Sequence, residues 1–495
     1  MRLINVHTLD TKDFSASWPE YAILSHRWED EEISYQDYQD PAKRVGPGYR
    51  KIADFCLLVQ QADWAKGQAT RRGIHWAWVD TCCIDKTSSA ELSEAINSMW
   101  TWYQEAAVCV AYISDCEVSD SRARTLRSLR ASPWFRRGWT LQELLAPKEV
   151  FVYAQNWQCL GQRNTTADLR RAINLATAIE EGYLQGRKHV ADASIAQRMS
   201  WASARKTTRG EDLAYCLMGI FNVNMPLLYG EGQEKAFYRL QEEIVKQSND
   251  ESIFAFGLNM YGKQPALAAN PRQFVDCEHV RTARRLRREP YTITNTGLNF
   301  ESPAIKWTLG RDCFYILNLN CGRLVFPEGG PPDAHPADAV RLKGCIMVLR
   351  KMGDRFVRDF SWEKKVEELS PIAAEHLAQE GLWQKIDSMR FYLAVTVNDV
   401  YSAEVDERQN ALNIRDGQSF WYEDNDGPMF GGFTVHEGVQ RAPTGKLMAS
   451  ELRADEFDED HDRERWFELE ATEVSPLAPQ ENESSTTLGP FELEA

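Results

Sequence analysis

The chain has no CxxC pair, so the spacing that builds zinc ribbons or thiol redox sites is missing, and its eleven cysteines are an odd number scattered over 495 residues. The adjacent Cys82-Cys83 points to opposite faces if it lies on a strand. Reduced, mostly buried thiols are expected. GxxxxGK[ST], HExxH and a Ser-centred nucleophile elbow are also missing, which argues against an NTPase, a zincin and an α/β-hydrolase. Tyr229-Gly-Glu-Gly-Gln-Glu-Lys235 starts like a dinucleotide fingerprint but has Lys235 where the third glycine belongs, and no strand precedes it. No metal site is expected. The N-terminus lacks a long apolar stretch and no run of about 18 apolar residues occurs, so no membrane segment is expected and the protein should reside in the cytoplasm or nucleus. Basic surface is scarce as well. The net charge is -16, and residues 451–495 alone hold 15 acidic and 3 basic side chains, leaving -4 for the rest. That distribution argues against nucleic-acid binding and marks an acidic, partly disordered tail.

What is present reads as a folded, multidomain protein: 43% hydrophobic and 26% charged residues exclude disorder of the whole chain. Residues 1–160 alternate short apolar runs with helical patterns, the signature of an α/β fold with a mainly parallel sheet. Tyr21 to Ser25, Ile74 to Asp80, Ala107 to Ile113 and Glu149 to Tyr153 are the predicted strands. Between the second and third, Leu92, Ala95, Ile96, Met99, Trp102 and Tyr103 recur at helical spacing after Ser88-Ser89, which predicts a capped helix on the sheet. Residues 161–250 read as a helical extension without strand signals: Ile195 to Ser203, Glu211 to Phe221 and an amphipathic run from Gln233 to Lys246. From 251 to about 450 the pattern turns to β, with strands at Tyr291 to Phe300, Cys313 to Asn320 and Arg390 to Val397, a hairpin over Gly344 to Phe360, and a Pro/Gly loop from Pro327 to Pro336.

Two segments carry candidate chemistry. Tyr21-Ala-Ile-Leu-Ser-His-Arg-Trp28 is an apolar strand ending in a hydroxyl, an imidazole, a guanidinium and an indole, and ligands of open α/β sheets bind beyond such carboxyl ends. Arg27 is suited to pair with a phosphate and Trp28 to stack on a ring; the competing readings are an ion pair of Arg27 with Glu29, Asp30 or Asp80, and an ordinary strand-end role for His26. Asp80, at the end of the second strand, and Asp85 are potential partners. The other segment, Ser132-Pro133 to Pro147, reads as one helix from about Pro133 to Ala146, with serine as cap and proline at the first turn. Trp139 and Glu143 are then four apart on one face. A carboxylate beside an indole in a cleft suits ribose hydroxyls or a developing oxocarbenium cation; alternatively Trp139 is core and Glu143 a solvated helix residue.

Tyr21 to Trp28, Trp78-Val-Asp-Thr-Cys-Cys-Ile-Asp-Lys86, Glu91 to Met99 and Trp134-Phe-Arg-Arg-Gly-Trp-Thr-Leu-Gln-Glu-Leu-Leu-Ala-Pro147 resemble the HET (heterokaryon incompatibility) domain of filamentous fungi. Residues 199–244 resemble the helical region that commonly follows it. The resemblance implies a part in non-self recognition and programmed cell death, and distant kinship with TIR domains, which have a flavodoxin-like sheet and some of which cleave NAD. Ser25-His-Arg-Trp-Glu-Asp30 is similar to the TIR strand ending Ser-Phe-Arg-Gly-Glu-Asp, with Trp28 in place of glycine. Trp139-Thr-Leu-Gln-Glu143 matches the TIR Trp-x-x-x-Glu, with Arg137 where a serine is usual. By this resemblance Glu143 is the catalytic carboxylate of an NAD glycohydrolase, Ser25, His26, Arg27, Trp28, Asp80, Asp85 and Trp139 line the substrate site, and NAD or a related nucleotide is substrate rather than cofactor. The alternative is a non-catalytic scaffold that self-associates, with the β region as sensor for a protein partner or activator.

Overall fold

Tyr21–His26 (β3) is apolar for four residues and buried at all six, as a strand covered on both faces requires. In the computed structural model it runs parallel to Trp76–Trp78 (β4) on one side and Val108–Ile113 (β5) on the other, and β5 runs parallel to Val150–Ala154 (β6). Three antiparallel strands, Arg2–Asn5 (β1), Thr11–Asp13 (β2) and Cys159–Gln162 (β7), extend the edges, giving the order β2-β1-β4-β3-β5-β6-β7. These edge strands carry no alternating apolar signal strong enough to read in the sequence. Counting only the parallel strands, the order is second, first, third, fourth, so the chain reverses its winding between β3 and β5. A crevice forms at such a switch point, beyond the strands' carboxyl ends.

The structure describes residues 1–64, 73–257 and most of 260–393, apart from 261, 284–289, 295–296, 310–311, 327–340, 353–354, 362 and 364–382; it also describes 419–440 apart from 425–426 and 437–438. The acidic tail and the Pro327 to Pro336 loop lie outside the described residues. Contacts divide the chain into Met1–Asn413 and Ile414–Ala495.

The helix Ser89–Glu105 falls where its periodicity puts it: Ser88 Oγ accepts the Glu91 amide, and Ala95, Ile96, Met99, Trp102 and Tyr103 are buried. The continuous helix expected from Pro133 to Ala146 does not form. A 3-10 turn, Pro133–Arg136, and a helix, Thr140–Leu145, are separated by Arg137, Gly138 and Trp139. The cause is a tertiary pairing that outweighs helix continuation: Arg136 O accepts the Lys206 amide (2.7 Å), and Lys206 O accepts the Gly138 amide (2.9 Å). Gly138 is what lets these segments approach, because a Cβ there would sit 2.5 Å from Thr207 Cγ2 and 3.0 Å from Cys216 Sγ.

Helices Ala167–Thr177, Ile195–Ser200, Asp212–Tyr215, Met218–Phe221 and Gln233–Gln247 fill the next stretch; the run expected over Glu211 to Phe221 is two short helices. A β-rich region comes next, of Lys263–Gln264 (β8), Val280–Thr282 (β9), Thr292–Thr294 (β10), Gly297–Leu309 (β11), Asp312–Val325 (β12), Arg341–Met352 (β13), Arg355–Asp359 (β14) and Trp383–Leu393 (β15). The expected hairpin is the antiparallel β13–β14 pair. A β11–β12 pairing closes a circuit through β15, β14 and β13. One hydrophobic core runs from Leu3 to Leu393, so the helical and β-rich segments pack on the α/β layer without a break. Arg358 stitches the join: its guanidinium donates to Phe254 O (2.7 Å), Phe256 O (3.2 Å) and the Glu363 carboxylate. In the second unit, Ser419–Asp424 (β16), Gly427–His436 (β17) and Val439–Gln440 (β18) pair antiparallel. All eleven cysteines are free and eight are buried; Cys82 and Cys83 sit in a helical turn, Asp80–Cys83, rather than on a strand.

Gly138→Ala is expected to lower the unfolding free energy by about 1–3 kcal/mol through overpacking. Denaturant unfolding checks this, and an unchanged midpoint would mean that the 206–216 segment yields freely.

Candidate functional site

Ser25 and His26 are the last residues of β3, at the switch point, so their side chains meet the segments that leave β4 and β5. Ser25 Oγ donates to Glu143 Oε2 at 2.6 Å and accepts from Trp134 Nε1 at 3.1 Å. Trp134 is held for this by the turn around it: Ser132 Oγ accepts its amide (3.1 Å) while donating to Asp115 Oδ1 (2.6 Å). Glu143 is 7% exposed on a helix whose six residues are all buried. Burial pushes its carboxyl up to about 8; the Ser25 hydrogen bond restrains the rise, the Asp80 charge adds to it, and Arg137 and Arg205 pull against it. The group is therefore mostly protonated at neutral pH. Tyr103 stands close by, with its hydroxyl donating to Leu24 O (3.1 Å) and its phenol held well above the usual range, first by burial and then by Glu143.

Asp80 organises the second half. Its Oδ1 faces His26 Nε2 at 3.1 Å and its Oδ2 accepts from Trp28 Nε1 at 2.7 Å. Burial opposes its charge, but the His26 hydrogen bond and the Lys86, His26 and Arg137 charges outweigh that and hold it well below the usual carboxylate range. Behind His26, Nδ1 lies 3.6 Å from Glu32 Oε1, which also takes Lys51 Nζ from the Gly46–Gln61 helix. Trp28 is 37% exposed, with Lys86 Nζ 3.4 Å and Arg137 Cζ 5.6 Å from its ring centroid. Two carboxyls in one neighbourhood are thus driven to opposite protonation states, the pattern that separates acid and base roles in active sites.

The sequence-predicted residues divide. Ser25, His26, Trp28, Asp80 and Glu143 are gathered at the carboxyl ends of β3 and β4. Trp139 stands at the start of the Thr140–Leu145 helix with its indole N–H toward Asp212 Oδ2 (3.4 Å), so the indole bonded into the Ser25–Glu143 pair is Trp134 instead. Asp85 is a turn residue, its Oδ1 accepting from Gln36 Nε2 (2.6 Å), Thr87 N (2.9 Å) and Thr87 Oγ1 (2.6 Å). Arg27 is half-buried with its Nε unpartnered, and among the described residues it forms none of the expected ion pairs with Glu29, Asp30 or Asp80. Sequence reasoning missed Arg137, Arg205, Lys86 and Trp134. Arg137 had no local signal, because the helix break that places it comes from the pairing with Lys206, far along the chain. Arg205 had none: it is buried 62 residues beyond Glu143, donates to Arg137 O (2.9 Å) and Thr140 Oγ1 (3.0 Å), and is pulled down to about 10 by burial.

A glutamate with a native pKa near 8 takes up a proton on folding between pH 4.5, its ordinary value, and 8, so it makes stability fall as pH rises through that window and leaves it level above. Glu143→Gln removes this component. Denaturant unfolding at pH 5.5 and 8 should show the variant gaining on the parent with rising pH, at up to about 1.4 kcal/mol per pH unit; a constant difference would mean that Glu143 is ionised in the folded state.

Residues 21–127 match the family model described as heterokaryon incompatibility protein (HET), and residues 235–303 match a domain of unknown function, DUF8212. The first match takes in Ser25 to Trp28, Asp80 and Asp85 and stops short of Trp134, Arg137, Trp139 and Glu143. Among curated proteins, the vegetative incompatibility protein HET-E-1 of Podospora anserina is 46% identical over 243 residues, covering 48% of this chain and 17% of the relative. The chain thus aligns with less than a fifth of that relative's length. No solved structure matches it.

Proposed function

Because this chain is a HET-domain protein, similar over 243 residues to a vegetative incompatibility protein, we propose that it acts in non-self recognition as a cell-death effector, through a TIR-like NAD glycohydrolase site centred on Glu143. The observation that carries the proposal is the Ser25–Glu143 pair at the switch point of the parallel sheet, 2.6 Å apart and shielded from water. The second-first-third-fourth strand order is that of flavodoxin-like sheets, which supports the TIR-like reading.

In glycosidic cleavage the bond between the ribose anomeric carbon and the nicotinamide nitrogen breaks, its electron pair leaves with nicotinamide, and water adds to the cationic sugar and releases a proton to solvent. A carboxylate in low dielectric stabilises that cation far more than solvent does. Glu143 supplies it; Ser25, oriented by Trp134, keeps the carboxyl in place and stabilises its ionised form. The positive charge of the bound nicotinamide ring lowers the Glu143 pKa, so its proton leaves to solvent on binding and the carboxylate is in place when the ribosyl cation develops. Nicotinamide release by concentrated protein is expected to drop by about 100-fold or more in Glu143→Gln. In the parent, kcat/KM is expected to rise with pH and level off above about 8, because the reaction requires the ionised form in the free enzyme. A profile falling through pH 8 would instead make Glu143 a proton donor.

One observation favours a second reading. Glu143 is closed off by packing in this conformation, as suits a non-catalytic, self-associating scaffold with the β-rich region as sensor. Cell death that persists in Glu143→Gln, with NAD left intact by the parent, would establish the scaffold.

A further inference from the structure

Arg137 and Lys86 both stand over Trp28, 5.6 Å and 3.4 Å from its ring centroid, and neither side chain has a hydrogen-bonded or ion-paired acid among the described residues. The one carboxylate whose charge reaches both is Asp80, and its oxygens are already taken by His26 and Trp28. The two cations also repel each other. Two cations that share one carboxylate, itself hydrogen-bonded elsewhere, leave positive charge beside the indole for a further anion. Their placement is enforced: the Arg137 backbone is pinned by Arg205 and Thr140, and flanked by the bonds of Arg136 and Gly138 to Lys206. The indole is fixed by its 2.7 Å bond to Asp80. Arg137 also acts electrostatically on Glu143, which ties the arginine to the buried carboxyl.

We propose that Arg137 and Lys86, arranged about Trp28, form an anion subsite that receives the phosphates of a nucleotide bound at the Ser25–Glu143 site. The guanidinium offers a planar two-donor fork to phosphate oxygens and the ammonium a point charge, while the indole leaves exposed ring surface beside them. This moves phosphate recognition from Arg27, expected there from the sequence, to Arg137. The role a TIR-type serine would have at position 137 is replaced by a charge. The proposal rests on the reading of the site as a nucleotide site but not on cleavage.

The test is calorimetric titration of the full chain, carrying Glu143→Gln so that nothing is consumed, with ADP-ribose, pyrophosphate and the uncharged nucleoside adenosine. ADP-ribose and pyrophosphate are expected to bind, and Arg137→Gln and Lys86→Gln each to weaken them about 10-fold or more, with adenosine affinity unmoved and binding falling as salt rises. Arg137→Lys should recover part of the loss, which a folding defect would not allow. No binding of either phosphate compound, or a loss on Arg27→Gln with none on Arg137→Gln, overturns the subsite. Failure of the two proposals is separable. Cleavage of NAD by the parent with KM unchanged in Arg137→Gln leaves the glycohydrolase standing without this subsite; phosphate binding lost in Arg137→Gln with no cleavage by the parent leaves the subsite without the glycohydrolase.

Discussion

A carboxyl group held out of water at the end of a parallel strand is the constraint to which the other features of the α/β layer answer. Glu143 lies 118 residues beyond Ser25, yet its Oε2 is 2.6 Å from the serine hydroxyl. Leaving such a group buried without a partner costs several kcal/mol. Ser25 gives it one hydrogen bond, Trp134 orients Ser25, and the proton retained at neutral pH avoids most of the charge burial. Each partner comes from a different element: a strand end, a 3-10 turn and a short helix. The pair therefore depends on the sheet being wound so that these meet.

Two local devices make that meeting hold. The pairing of 136–138 with Lys206 interrupts a segment capped as one helix, and in the resulting turn Trp134 reaches Ser25 while Arg137 reaches Trp28. The Glu32–Lys51 and Asp80–Trp28 contacts then fix the chain leaving β3, which keeps His26 between two acids. Neighbouring carboxyls end in opposite states: Asp80, hydrogen-bonded and near cations, stays ionised, while Glu143, enclosed, keeps its proton. Dielectric environment rather than residue type sets the difference.

The layout legible in the sequence was that determined by periodicity and local caps. β3, β5 and β6 are continuous apolar runs, and the Ser89–Glu105 helix has both its cap and its buried stripe in the sequence. The edge strands β1, β2 and β7 are three or four residues long, too short for alternation to register. The break at Gly138 was unreadable because its partner, Lys206, lies nearly 70 residues away and competes only in the folded chain. The same separation explains the site. Ser25, Asp80 and Glu143 announced themselves by chemistry at strand or helix ends, whereas Trp134 passed for a helix residue and Trp139, by its spacing from Glu143 and the Trp-x-x-x-Glu resemblance, for a residue lining the site. Asp85 was an acid near a strand end whose role is decided by Thr87, two residues on.

The protonation state of Glu143 is the point on which both the electrostatics and the chemistry turn. Infrared difference spectroscopy of the parent protein against Glu143→Gln, across pH 5 to 10, reads it directly through the carboxyl stretch. A protonated carboxyl band is expected at pH 6, giving way to carboxylate with a midpoint near 8. A carboxylate band already complete at pH 6 would contradict it.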